Sequence, residues 1–357
     1  MDDGRSSRSS SLGQSSESEV ASALDSLSIN DKEESLEKGD TLDWDELTVE
    51  QVLDVPIWSG LLKAVKFDDL MSFEDFLMRS QNILQLELAS HDYDTFTSFI
   101  DFYKNFKTSK KGFVPFVSGY NDGLLGSLDG DGLSCVGLSI RLMERLIESD
   151  SRIRRNLGLV SCEEVVKDVG AYCMESPNAA KEHVLLGLHV IVGERRGYVL
   201  FDPGYHVARP GKATLIPFYV CNNTSFLVVV MEDKQYPHTS WFVQSRTSSL
   251  LKEFCYDCPD DRFLTWTVKE TRRGVVDQWS NLIYVKRAFQ KALTITQKRS
   301  LFYGFKSYVI RDRKGPIAGI YCWIRNHSVT VFYPKDNQKV QNKYDIKGKN
   351  RLVTSTN

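Results

Sequence analysis

The sequence lacks both an excess of one charge and a long hydrophobic run. Its 45 Lys and Arg residues nearly balance its 47 Asp and Glu residues, and the formal net charge is -2. Such a balance gives no general attraction to nucleic acid or to anionic lipid. No apolar run approaches the roughly 20 residues that span a bilayer, and no secretory pattern stands near Met1. We therefore expect a cytoplasmic protein, with the nucleus as the alternative, whose partners include neither nucleic acid nor a membrane.

Cysteine is also scarce. Seven cysteines, an odd number, are spread thinly over 357 residues, which favours reduced thiols over a disulfide framework. Cys255 and Cys258 form a lone Cys-x-x-Cys pair, and no second pair or suitably spaced His accompanies them. A structural zinc site needs four such ligands. We therefore predict no bound metal.

Composition divides the chain into four parts. Residues 1–41 are rich in Ser, Asp and Glu and poor in aromatic residues, which predicts a disordered tail. Apolar residues then recur at helical spacing, so we predict that residues 42–206 form a helical core that ends in a β-hairpin. Residues 207–340 contain short β-rich runs, and residues 341–357 read as a basic flexible tail. Helices followed by strands indicate an α+β fold, with an N-terminal helical part before an antiparallel sheet or barrel.

Cys135 stands where a loop rich in Gly and Asp gives way to a helical stripe of apolar residues. A helix start stabilises a thiolate through its partial positive charge and its unpaired backbone N–H groups. The same N–H groups could stabilise the oxyanion of a tetrahedral intermediate. The position therefore suits a nucleophile. The alternative is a cysteine that only packs in the core, where this residue type is common.

Two β-rich runs joined by a charged turn predict a hairpin that carries His183 and His189 on its first strand and ends in Asp202. A turn centred at residues 194–195 makes Gly187 face Asp202. His189 then lies one diagonal step from Asp202 on the same face, about 7 Å away, whereas His183 lies two steps away. Local geometry therefore favours His189 as the partner of Asp202.

The order of a Cys on a helix, a His that leads an apolar strand and an Asp on the next strand resembles that of two groups in the papain-like cysteine-enzyme superfamily. These groups are the arylamine N-acetyltransferases and the transglutaminase-like core. The stretch Asp202-Pro203-Gly204-Tyr205 is similar to the Asp-x-Gly-aromatic stretch of the acetyltransferases, and its Asp-Pro pair is similar to the transglutaminase-like ending. The resemblance is close over residues 135–205 and loose over residues 42–334. It implies a papain-like arrangement of helices and sheet.

The resemblance also implies a triad of Cys135, His183 and Asp202, because a His at the head of an apolar strand is how these enzymes present their base. We therefore select His183 and keep His189 as the alternate base. Tyr205 and His206 follow the Asp directly, and Trp241 ends a run of aromatic and polar residues. We take these three as candidates for substrate binding, with packing in loops as the alternative.

Three functions remain open at this point. Resemblance to the acetyltransferases implies an acyl-thioester intermediate on Cys135, with acetyl-CoA or another acyl-CoA as donor and a small molecule or protein as acyl acceptor. The transglutaminase-like resemblance implies transfer or hydrolysis at protein amides. The third function is that of a non-catalytic binding or scaffold protein on a degenerate papain-like fold.

Overall fold

The computed structural model describes most of the chain between residues 56 and 356. Within it, residues 227–257 are described by their backbone alone. The predicted N-terminal tail, residues 1–41, lies outside the described residues. The described residues are 56–120, 132–163, 166, 168, 172, 183–204, 227–231, 241–246, 250–257, 262–272, 274–290, 307–312, 315–323, 327–335, 338–345 and 351–356.

The helices of the described part lie in its N-terminal half. The helices that begin at Leu70 and at Cys135 each follow a residue that caps them. Asp69 accepts a hydrogen bond from the Ser72 N–H, and Ser134 accepts one from the Gly137 N–H. A cap of this kind satisfies a backbone donor that the helix leaves unpaired. The helices are α1 (Leu70–Ser90), α2 (Phe96–Ser109), α3 (Phe113–Gly119) and α4 (Cys135–Ser149), followed by a 3₁₀ turn (Ser151–Arg155).

Strands dominate the rest of the described residues. The first nine are β1 (Trp58–Leu61), β2 (Val65–Phe67), β3 (Asp92–Asp94), β4 (Gly132–Leu133), β5 (Leu157–Glu163), β6 (His183–Val192), β7 (Arg195–Phe201), β8 (Leu227–Met231) and β9 (Trp241–Arg246). The others are β10 (Leu250–Asp257), β11 (Phe263–Arg272), β12 (Val275–Tyr284), β13 (Arg287–Phe289), β14 (Ser307–Asp312), β15 (Gly315–Trp323), β16 (Ser328–Lys335), β17 (Gln338–Asp345) and β18 (Arg351–Thr356). The predicted α+β class is confirmed.

The main sheet has the strand order β8-β7-β6-β5-β12-β11-β10-β9, and all of these neighbours are antiparallel. Strand β2 adds to it by pairing parallel to β6. The antiparallel sheet is thus as predicted. In the described residues β8 and β9 lie at the two ends of this order and do not pair with each other. The sheet is therefore open, and the barrel that we predicted as the alternative to a sheet does not close.

Helices α1 and α4 cover one face of this sheet. Phe76 and Leu84 of α1 and Leu142 of α4 are buried in one cluster with Leu186 and Val199 of the β6–β7 hairpin. In the same cluster Phe73 and Phe76, Leu84 and Leu88, and Leu142 and Leu146 are three or four residues apart, which places the buried residues of each helix on one face. The face that α4 presents to β6 fixes where its first residue, Cys135, lies.

Two short strand pairings frame the start of α4. Strand β3 pairs parallel to β4, with Tyr93 beside Leu133, and antiparallel to β14. Strand β1 pairs with β13, with Trp58 beside Phe289. Strand β4 ends two residues before Cys135, so its pairing with β3 fixes the path of the chain into α4.

The observed division of the chain differs from the predicted one. One compact unit ends at Pro316 and the other begins at Ile317, whereas we placed a boundary at residues 206–207. Strands from both sides of the predicted boundary form one sheet, because β7 pairs with β8 and β5 pairs with β12. The unit after Pro316 contains most of β15 and all of β16 to β18, and these strands pair in sequence as antiparallel neighbours.

Three local predictions are also corrected. β17 and β18 lie largely where we predicted a basic flexible tail, residues 341–357; in β17, Asn342 and Tyr344 are half-buried while Lys343 is exposed, the alternation of a strand. β1 and β2 are strands inside the predicted helical region. Helix α3 forms at the start of the Gly- and Asp-rich segment before Cys135, which we predicted to be a loop. None of the helices in the described part of the chain is long and apolar enough to span a bilayer.

Candidate functional site

Cys135 is the first residue of α4, and its side chain is only 2% exposed. The preceding Ser134 caps the helix through its hydroxyl. Cys135 and Val136 lie in one buried cluster with Val184 of β6 and Phe289 of β13. The predicted placement of this cysteine at a helix start is what the structure has.

His183 and Asp202 are in direct contact. His183 begins β6 and Asp202 directly follows β7; the His183 Nε2 atom lies 2.9 Å from Asp202 Oδ1 and 2.8 Å from Oδ2. Both residues are buried, with side-chain exposures of 7% for His183 and 10% for Asp202. A carboxylate that holds one ring nitrogen in this way fixes both the orientation and the tautomer of the imidazole.

The hairpin register that we predicted is wrong by two residues. Gly187 pairs with Leu200, not with Asp202. The turn contains just Gly193 and Glu194, and Gly193 adopts a φ of 61°, as the first position of a tight type II′ turn requires. With this turn, the register places Asp202 opposite Leu185 and not opposite Gly187, a difference of two residues along β6. The diagonal neighbour of Asp202 is therefore His183.

His189, the alternate base, lies elsewhere on the hairpin. It pairs with Tyr198, and the two rings stack with centroids 4.7 Å apart and an interplanar angle of 13°. In this register His189 is two same-face steps from Asp202. The structure therefore brings His183, and not His189, to the carboxylate.

Cys135 also contacts His183, and the contact affects the charge of the ring. Burial is the largest influence on the imidazole and by itself lowers its pKa, but the charge and hydrogen bond of Asp202 and those of Cys135 outweigh it. The pKa of His183 is therefore raised well above its ordinary value of 6.5. Because Nε2 is held by Asp202, Nδ1 is the ring nitrogen left for Cys135. An imidazolium beside the sulfur stabilises a thiolate.

Partly buried aromatic rings surround the cysteine. Trp58 and Tyr93 pack against its cluster, and Trp58 stacks on Phe289 with centroids 4.5 Å apart. Tyr284 meets Trp58 edge-on at 5.1 Å. The surroundings of the sulfur are therefore mostly apolar and aromatic, which suits a site that excludes water from a reactive thioester.

The predicted substrate-binding residues are not gathered at this site by the described structure. Tyr205 and His206 lie outside the described residues. The backbone of Trp241 begins β9, and four strands of the main sheet separate β9 from β6. A β-rich run starting at Trp241 was the signal that we interpreted as a loop.

Sequence reasoning missed the ion-pair cluster that joins α4 to α1. Glu87 of α1 is fully buried; its Oε1 lies 2.8 Å from the Arg141 Nε and 3.0 Å from the His91 Nδ1, and its Oε2 lies 2.8 Å from the Arg145 Nε. Arg141 and Arg145 are one turn apart on α4. Their four-residue spacing, together with one Glu on a mostly apolar face of α1, was the available signal.

In the described part of the chain, no group of three or more His, Cys, Asp or Glu side chains could hold a metal ion. The arrangement can instead provide a thiol nucleophile, a proton carrier beside it and a carboxylate that orients the carrier. No family model matches the chain, and comparisons with curated proteins and with solved structures likewise found no match.

Proposed function

We propose that this protein is a cysteine enzyme that forms an acyl-thioester intermediate on Cys135, with His183 as the proton carrier and Asp202 as the residue that orients it. The observation that carries the proposal is the bonding of His183, whose Nε2 contacts both Asp202 oxygens at 2.8 to 2.9 Å while the ring also contacts Cys135 at a helix start. A nucleophile, a base and an orienting third group are the parts that covalent catalysis of acyl transfer requires.

In the first half of the reaction, the Cys135 thiolate attacks the donor carbonyl. The sulfur–carbon bond forms, and the N–H groups at the start of α4 face the developing oxyanion. The bond from carbon to the leaving group then breaks, and the leaving group takes the proton of the His183 imidazolium. Asp202 keeps the ring oriented throughout.

In the second half, the acceptor loses a proton to the neutral His183 imidazole as it attacks the thioester. The new bond to carbon forms, the carbon–sulfur bond breaks, and the Cys135 thiolate beside the His183 imidazolium is restored. With an amine acceptor the result is acyl transfer, and with water it is hydrolysis. The same residues therefore serve each enzyme function suggested by the sequence.

A papain-like arrangement and an acyl-CoA donor are parts of this proposal. The arrangement is supported by the packing of α4, which carries the nucleophile, against β6, which carries the base, in an antiparallel sheet. An acyl donor is supported by the apolar and aromatic surroundings of the sulfur, which would accommodate a short acyl chain. The acceptor is a small-molecule or protein amine, and a protein amide is the donor in the transglutaminase-like alternative.

Intact-protein mass spectrometry tests the proposal. The protein is incubated separately with acetyl-CoA, with p-nitrophenyl acetate and with a glutamine-containing peptide, and peptide mapping then locates any bound acyl group. We expect one acyl group on Cys135, none in Cys135→Ser, and wild-type behaviour in the matched control Cys322→Ser. If no donor acylates Cys135 above the level of the control cysteines, the catalytic proposal is wrong and the binding-protein alternative is favoured.

A further inference from the structure

The backbone at Gly204 passes close to the two reacting residues of the site and leaves no room there for a side chain. A Cβ atom built at Gly204 would lie 2.5 Å from the Cys135 Cβ, 3.0 Å from the Cys135 Cα and 3.0 Å from the His183 Cε1. Real Cβ atoms essentially never approach other heavy atoms closer than 3.0 Å. The clashing atoms of Cys135 are a backbone carbon and the first side-chain carbon, so they cannot move aside by a rotamer change.

A backbone requirement does not account for this glycine. Among the described residues, the glycines with positive φ are Gly193, Gly274 and Gly319, so Gly204 has a conformation that alanine can adopt. Of the glycines whose surroundings the structure describes, Gly204 is also the one whose missing Cβ would meet Cys135 and His183. The close approach itself is therefore what demands glycine.

Gly204 and Asp202 act on the same ring at two points. Asp202 holds Nε2, and the backbone of Gly204 comes so near Cε1, the carbon between the two ring nitrogens, that an added Cβ would lie 3.0 Å from it. A bond at Nε2 and a close backbone beside Cε1 together restrict how the ring can rotate and tilt. The remaining nitrogen, Nδ1, is then held toward Cys135, whose Cβ would lie 2.5 Å from a Cβ at the same glycine.

We propose that Gly204 is a positioning residue that sets the spacing between the Cys135 sulfur and the His183 ring. This inference rests on the function proposed above and adds a residue to it. A methyl group at position 204 pushes Cys135 and His183 apart, which lengthens the hydrogen bond between them. His183 then no longer takes up the thiol proton efficiently, so Cys135 reacts more slowly near pH 6, and the difference narrows at high pH, where hydroxide can remove the proton of any thiol.

The test compares Gly204→Ala with Gly158→Ala. Gly158 is a matched control, because its Cβ would lie 2.4 Å from the Ala288 Cβ, equally tight but against no triad atom. Iodoacetamide labelling of Cys135 is followed by peptide mass spectrometry at pH 6 and pH 9, alongside thermal unfolding. We expect Gly204→Ala to label at least about tenfold more slowly at pH 6 and within about twofold of wild type at pH 9. Gly158→Ala should lose stability comparably and label like wild type at both pH values.

Each outcome decides between the claims. If wild-type Cys135 has no enhanced labelling at pH 6, the proposed function and this inference are both overturned. If wild type is reactive and folded Gly204→Ala is equally reactive, or if Gly158→Ala is slowed as much, the inference alone is overturned. If Gly204→Ala does not fold, the wild-type protein decides: a nuclear Overhauser contact between the Hε1 of His183 and a Gly204 Hα supports the inference, and its absence overturns it.

Discussion

At the scale of single residues, the charge state of the site depends on opposing influences on His183. Burial disfavours the imidazolium, and on its own it would keep the ring neutral. The Asp202 carboxylate and the Cys135 sulfur reverse that effect and raise the pKa of His183. Asp202 is therefore expected to control the charge as well as the orientation of the ring.

Replacing Asp202 with Asn should lower the pKa of His183, because the amide keeps the shape of the carboxylate but removes its negative charge. Burial, which lowers this pKa, then meets less opposition from neighbouring charge. The measurement is a titration of the His183 Cε1–H resonance by NMR in both proteins. A group whose pKa is raised on folding contributes stability below its unfolded pKa, about 6.5, and loses it as the pH rises through the folded pKa. Wild type should therefore lose stability over that range of pH, and Asp202→Asn should lose less. An unchanged His183 titration in Asp202→Asn would refute this role.

The Ser134 cap gives a second prediction at this scale. Ser134→Ala removes the hydroxyl that accepts the Gly137 N–H, so the free energy of unfolding should fall by about 1 kcal/mol. Ser139→Ala in the same helix is the control, because the buried Ser139 hydroxyl has no hydrogen-bond partner among the described residues and its loss should cost little. Urea unfolding of both variants measures the difference. Equal losses would mean that the cap contributes nothing specific.

At the scale of elements, the position of Cys135 depends on how α4 is held. Apolar packing holds one face of α4 on the sheet, and the Glu87 cluster ties its middle turns to α1. A fully buried carboxylate is costly unless charged donors surround it. Here two Arg side chains supply the charge and the His91 ring lies beside them, and Arg145, at 45% exposure, is the most solvated of the three.

Glu87→Gln should therefore be strongly destabilising, because it leaves two Arg side chains beside a neutral group. We expect a loss of about 2–3 kcal/mol, below the full cost of breaking a buried pair because Arg145 remains partly solvated. Asp75→Asn in the same helix is the control: it breaks the exposed pair between Asp75 and Arg79, which lie 2.8 Å apart, and should cost about 0.5 kcal/mol or less. Chemical unfolding that gives similar losses for both variants would contradict a structural role for the Glu87 cluster.

The sequence was enough to predict that α4 and the β6–β7 hairpin exist, but it did not give the correct pairing register of the hairpin. Two β-rich runs joined by a charged turn predicted the strand that begins at His183 and the strand that ends just before Asp202, and a helical stripe predicted α4. The register depended on a single turn, and a two-residue turn at Gly193 instead of a later one moved the partner of Asp202 from His189 to His183. The resemblance to a family selected His183 correctly as the histidine next to Asp202, where local spacing did not.

Two features could not be predicted from the sequence: the strand β17 in the Lys-rich C-terminal segment and the closeness of Gly204 to Cys135. The Lys-rich C-terminal segment reads as a solvated tail, yet Lys343 is an exposed residue between the half-buried Asn342 and Tyr344 of β17. The contact of Gly204 with Cys135 joins residues almost 70 positions apart, and no local pattern reports it. Such contacts come from the packing of α4 on the sheet, which periodicity alone does not define.

At the scale of the whole molecule, the described residues divide at residues 316–317, and every part of the candidate site belongs to the unit that ends at Pro316. Cys135, His183 and Asp202 come from three elements of that unit, separated by up to 67 positions in the chain. The site therefore requires the folded unit. It does not form from any one local segment.

Deletion of residues 1–41 should leave this unit intact. The segment is rich in Ser and acidic residues and contains no aromatic residue, so it brings little apolar area to a core. We expect the melting temperature to change by no more than about 2 °C, which corresponds to about 1 to 1.5 kcal/mol for a protein of this size. Differential scanning calorimetry of the full and shortened chains measures it. A larger decrease would show that the segment docks on the folded part.

The central claim is that His183, oriented by Asp202, activates Cys135, and the most direct test is the labelling rate of Cys135 at pH 6. Wild type, His183→Gln and Asp202→Asn are treated with iodoacetamide, with Cys322 as the internal reference and thermal unfolding as the check that each variant is folded. The account predicts that both folded variants label Cys135 at least about tenfold more slowly than wild type while Cys322 labels equally in all three. Equal labelling of Cys135 in the three folded proteins would contradict it.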